Sequence, residues 1–153
     1  MVALQDLFLR TRGDPLQIDG SVVVQMDRLQ IRKARVTVSA ARAFDGQGIA
    51  LKTPNGHIKL GDGREVPLLH IWFDKGLPLT ASHDVDCKGE LRVWNIYRTG
   101  HPGGAVTEDA WTGNAGMIMT DESLSRRRYL CSAGTARTFD PQLDVTIQWE
   151  ATP

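Results

Sequence analysis

Residues 143–150, LDVTIQWE, alternate between apolar and polar side chains without a break. Leu143, Val145, Ile147 and Trp149 fall on one side of an extended chain, and Asp144, Thr146, Gln148 and Glu150 on the other. A strand with one face on a core and the other in water uses that period of two, whereas a helix would scatter the same apolar residues around its circumference. RVTVSAA repeats the pattern, with Val36, Val38 and Ala40 opposed to Arg35, Thr37 and Ser39. A chain carrying such segments must bury their apolar faces against another layer.

The same period predicts strands near 21–26, 29–40, 48–53, 57–60, 66–74, 90–98, 116–120, 127–133 and 143–150. Helical spacing is confined to 2–9, which predicts one short helix. Asn55-Gly56 and Asp62-Gly63 predict two hairpin reversals, because these dipeptides accept the positive φ of tight primed turns. Eight or nine short strands with almost no helix imply an all-β chain: an antiparallel β-sandwich, jelly-roll-like, with a barrel as the alternative. The expectation for 1–153 is one domain, since a chain of this length buries roughly two-thirds of its unfolded surface around one core. Cys87, Trp94, Tyr129 and Cys131 do not keep the spacing of an immunoglobulin domain, so the fold expectation rests on periodicity alone.

Eighteen Lys and Arg balance eighteen Asp and Glu, which argues against a nucleic-acid footprint or an anionic membrane surface. Hydrophobic residues at 41% and charged residues at 24% are ordinary for a folded, soluble domain. The charge is uneven: residues 1–60 carry nine basic against five acidic side chains, and 61–153 carry nine against thirteen. Chance along the chain explains this, and so does head-to-tail association of copies. MVALQDLFLRTRGDP is broken by Gln5 and Asp6, so it reads as neither a secretory leader nor a membrane span, and a cytosolic location is expected. Two cysteines without CxxC spacing are expected as buried free thiols, a single bridge between strands being the alternative.

The most irregular stretch is EDAWTGNAGMIMTDE. A phosphate loop needs a preceding strand, a following helix and usually a lysine, none of which is evident there. Gly113, Asn114 and Gly116 therefore read as a turn or bulge, or as backbone contacts to a bound group. Trp111 either closes the end of the sandwich or offers a flat apolar face with an N–H to a sugar, an aromatic ligand or a partner protein. In LLHIWFD the trio Leu69, Ile71 and Phe73 reads as the core face, which puts His70 and Trp72 on the opposite surface. In GELRVWNIYRTG, Trp94 shares a face with Arg92, Ile96 and Arg98, where arginine can stack on the indole. Arg126, Arg127 and Arg128 read as a solvated turn or a small anion contact.

ASHDVDCKG gathers His83, Asp84, Asp86 and Cys87, but neighbours on an extended chain point to opposite sides. The segment reads as a solvated loop, with calcium at Asp84 and Asp86 as a minor alternative, and no metal site is assigned. No cofactor motif and no GxSxG elbow is present. Two functions follow. The first is a non-catalytic binding or assembly module that presents Trp72, Trp94, Trp111, Asn114 and Arg98 to a small molecule, a glycan or a protein, including copies of itself. The second is a small cofactor-independent enzyme of isomerase, cyclase or lyase type, with His70 or His83 as base and a carboxylate such as Asp86 to orient it.

Overall fold

Strand pattern becomes strand almost throughout the chain. The computed structural model describes residues 2–152, in which a helix, α1 (Leu4–Arg10), precedes fourteen strands. They are β1 (Leu16–Ile18), β2 (Ser21–Val24), β3 (Asp27–Leu29), β4 (Lys33–Arg42), β5 (Gln47–Lys52), β6 (Gly56–Lys59) and β7 (Glu65–Val66), then β8 (Leu68–Trp72), β9 (Thr80–Cys87), β10 (Leu91–Gly100), β11 (Val106–Asp109), β12 (Gly116–Ser123), β13 (Arg126–Ser132) and β14 (Leu143–Ala151). Nine form one sheet in the order β1-β2-β12-β13-β14-β4-β9-β6-β7, and five form another, β11-β10-β5-β8, with β3 also on β10. Neither order returns to its start, so the barrel alternative is overturned: two open sheets face each other.

The core fills the gap between them. Val36, Val38, Val145 and Ile147 of the larger sheet cluster with Ile49, Leu51, Leu91 and Val93 of the smaller. Along β14 the alternation holds as expected, with Leu143, Val145 and Ile147 fully buried and Trp149 half-buried at the margin. On its outer face Asp144 takes a two-pronged contact from Arg128, 2.9 and 2.6 Å. α1 lies on a smaller cluster in which Leu4 and Phe8 meet Val23. One charged knot ties the sheets together. Asp27 on β3 accepts from the Tyr129 hydroxyl at 2.6 Å and from Arg127 at 2.8 Å, both on β13. Burial, then the carboxylate beside it, raises the Tyr129 pKa, so the hydroxyl stays protonated and donates.

The strands outnumber the eight or nine expected because several are short or polar. The predicted 29–40 strand starts too early: β3 ends at Leu29 in the smaller sheet and β4 begins at Lys33 in the larger, since the chain crosses between sheets at 30–32. ASHDVDC is not a solvated loop but β9, an interior strand between β4 and β6. Its alternation is masked because, of its inward residues Ala81, His83, Val85 and Cys87, only Val85 is a branched apolar side chain.

Asp62-Gly63 turns a hairpin as expected, with Ile58 opposite Val66. Asn55-Gly56 does not, because β5 and β6 belong to different sheets. Gly56 is required for another reason: a Cβ there would overlap the Asp86 carbonyl of β9. An unforeseen Asp-Gly hairpin joins β1 to β2, where Asp19 (φ 50°) and Gly20 (φ 78°) both take positive φ.

Ile147 has no exposed surface, so Ile147→Ala should lower the unfolding free energy by about 2–5 kcal/mol. Trp149→Ala should cost less despite its larger volume, because Trp149 is half in water; urea unfolding of the two variants checks this order.

Candidate functional site

The register of the smaller sheet decides what its outer face carries. Trp94 pairs with Ala50 and Ala50 with His70, while Ile96 pairs with Gly48 and Gly48 with Trp72. Arg98 pairs with Glu108 on the other side of β10. Directly paired residues share a face, so His70, Trp72, Trp94, Arg98 and Glu108 all stand on the face of this sheet turned away from the larger one. Ile71 and Phe73 are buried on the core side. This face is unusually dry: Ala50 is 0%, Ile96 3% and Trp94 8% exposed.

Larger side chains cover them. The Arg98 guanidinium lies 4.0 Å over the Trp72 ring, and His70 meets Trp72 edge-on at 6.4 Å. Asp74 holds Arg98 at 2.7 Å and accepts from the Gly46 N–H at 2.6 Å. Those hydrogen bonds, Arg98 first, keep the Asp74 carboxyl below its usual value.

Trp111 reaches the same face from the loop after β11. Its ring packs on Trp94 at 5.1 Å, tilted by 45°, and remains 41% exposed. Its backbone is left-handed (φ 63°), an outlier for so bulky a residue that costs roughly 1–3 kcal/mol unless its surroundings enforce it. They do. Gln25 donates to the Trp111 carbonyl at 3.4 Å, and Thr112 N–H donates to the Tyr97 hydroxyl at 3.2 Å. Gly113 runs so close beneath Gly134 that a Cβ would overlap the Gly134 carbonyl.

Asn114 is occupied differently. Its Oδ1 accepts from Leu4 N–H at 3.1 Å, and its Nδ2 donates to the Ala136 and Arg137 carbonyls at 3.0 Å each. The N-cap position of α1 is Ala3, which makes no side-chain capping hydrogen bond. Asn114 thus satisfies a free helix N–H from 110 residues away and has little left for a ligand.

Beside Trp111 lies a groove of about 420 Å³ lined by Arg12, Arg28 and Arg92 with Gln25, Met26 and Asp14. Glu90 bridges two of the arginines, 2.9 Å from Arg28 and 3.1 Å from Arg92. Three guanidiniums, two carboxylates and a half-exposed indole form a surface for a carboxylate set beside an apolar plane. Arg12 and Arg28 carried no distinguishing mark in the sequence, because folding alone brings residues 12, 28 and 92 together.

The residues named for catalysis do not converge. His70 stands 3.6 Å from Glu108 on the open outer face of the small sheet. His83 and Asp86 point to opposite sides of β9, His83 toward the Lys59 carbonyl (3.2 Å) and Asp86 toward Lys33 (3.8 Å). His101 contacts Thr107 at 2.8 Å, and Thr107 donates to Asp109 at 2.8 Å, but this relay is exposed on the β10–β11 hairpin. Cys87 and Cys131 are free and buried; the Cys87 thiol donates to the Ile31 carbonyl at 2.9 Å, and burial raises both thiols away from the reactive thiolate. Among the described residues no three His, Cys, Asp or Glu side chains are grouped to hold a metal ion, and no helix is long and apolar enough to cross a membrane.

Asn114→Ala should lower stability by about 0.5–2 kcal/mol through loss of the helix cap and loop ties, measured by urea unfolding. Asp74→Asn should destabilise at neutral pH. Its carboxyl sits below the ordinary 3.8 when folded, so its stabilisation is full above that value and lost as the pH falls through the lower, folded one. Melting curves of wild type and variant should therefore converge in acid.

The chain matches no protein-family model, and searches of curated proteins and of solved structures return no match.

Proposed function

We propose that this chain is a non-catalytic binding or assembly module whose contact surface is the outer face of the smaller sheet, centred on Trp111 and the arginine groove beside it. The partner is a surface that sets carboxylates next to an apolar plane, either an acidic glycan or the acidic region of another copy. One observation carries the reading: Trp111 is held in a strained backbone conformation while its ring stays 41% exposed. A tryptophan needed only to cover Trp94 would gain by sinking further into the face. Tryptophan and arginine are also the side chains that concentrate binding energy when a partner excludes water from them.

The enzyme alternative has less behind it: among the described residues, His57 shares a groove with Asp84 and Asp86 but forms an ion pair with neither, contacting Glu65 at 3.5 Å instead, and His70 stands 3.6 Å from Glu108. A cytosolic location belongs to the same proposal.

The test uses two probes, an array of neutral and uronic-acid oligosaccharides and the chain itself in sedimentation velocity. Wild-type protein should be retained by acidic glycans or should self-associate. Trp111→Ala should abolish that behaviour while shifting the melting temperature by less than about 3 °C. Absence of both behaviours in the wild type would sink the proposal, as would a Trp111→Ala variant that melts much earlier yet binds normally.

A further inference from the structure

At one end of the sandwich, loops 43–46 and 133–142 enclose a second cavity of about 320 Å³, reached by neither Trp94 nor Trp111. Gln47 lines it, 2% exposed. Its Nε2 donates to Gln142 Oε1 at 3.3 Å, while its own Oε1 is buried with no hydrogen-bond partner. Buried polar atoms are nearly always paired, so an orphan acceptor beside a cavity asks for a donor from outside the chain. Swapping the amide orientations of Gln47 and Gln142 does not remove the demand, because it leaves an unpaired N–H in place of the unpaired oxygen.

We propose that this end cavity binds a small, neutral, polyhydroxylated ligand of monosaccharide size. Its volume falls at the lower end of the range for small-molecule pockets. The two glutamine amides at its inner end offer both acceptors and donors, which match neighbouring hydroxyls that do the same. The one part-buried ionised side chain of the lining, Arg98, is already held by Asp74 at 2.7 Å, so a charged ligand would lose its hydration there without a free counter-ion. The other charges of the lining, Asp45, Arg137 and Asp140, are exposed at the mouth, where Asp140 can accept from a hydroxyl and Arg137 can donate to one. Phe44, 37% exposed at the rim, supplies an apolar surface for the C–H face of a sugar ring.

Saturation-transfer NMR of the full chain with free glucose, galactose, mannose, fucose and N-acetylglucosamine tests this. At least one sugar should receive magnetisation from the wild-type protein. Asp140→Ala and Gln142→Ala, the first on an exposed and the second on a half-buried position, should weaken its binding at least about tenfold, a loss near 1.4 kcal/mol, with melting temperature retained. Gln47→Leu should abolish it; if that variant does not fold, the other two decide. Trp111→Ala should leave it intact, which separates this cavity from the face proposed above. No transfer to any of the five sugars, or transfer unchanged by Asp140→Ala and Gln142→Ala, would overturn the assignment and leave the orphan acceptor to a buried water.

Discussion

Strand β10 is dry on both faces, and most of the molecule's surface features follow from that. In a two-layer sandwich a strand ordinarily has one face on the core and the other in water. Leu91, Val93 and Tyr97 take the core side here, yet Trp94 and Ile96 on the other side are 8% and 3% exposed. Something had to cover them. Trp72 and Arg98 do so from within the sheet, and Trp111 from a loop that doubles back over it. The aromatic and arginine layer is thus first an answer to an apolar strand face, and its incomplete closure at Trp111 leaves a surface open to a partner.

Holding that layer in place requires the two sheets to keep one alignment. Apolar burial is non-directional and cannot supply it alone. Polar contacts do: Asp27 joins β3 to β13, and Asn95, on β10 two residues before Tyr97, donates to the Ser132 carbonyl at 2.8 Å. Each would leave a buried group unpaired if the sheets slid past one another. The same Tyr97 fixes the loop that carries Trp111 and lines the cavity at the sandwich end. One strand therefore positions both proposed binding surfaces, with Arg98 bordering each.

The outer face of the larger sheet makes a contrast. There Lys33 faces Asp86 at 3.8 Å and Arg35 faces Asp84 at 3.2 Å, exposed pairs that stabilise little. Such a ladder is well solvated and offers a partner little to gain on desolvation. The asymmetry between a charged face and an aromatic one gives the binding reading its direction.

What the sequence determined by itself was the class of fold and the placement of several side chains. Strict alternation in 143–150 and 35–40 has one physical solution, and the same rule put His70 and Trp72 on the face opposite Leu69, Ile71 and Phe73. It failed where alternation is written in small or polar residues, as in β9, and where a turn dipeptide serves a close backbone approach instead, as at Gly56. Only tertiary structure decided that Arg12, Arg28 and Arg92 share a groove, that Asn114 caps a helix 110 residues away, and that Gln47 keeps an unpaired oxygen beside a cavity. Those are relations between distant segments, set by which strands pair, and local periodicity carries no information about pairing.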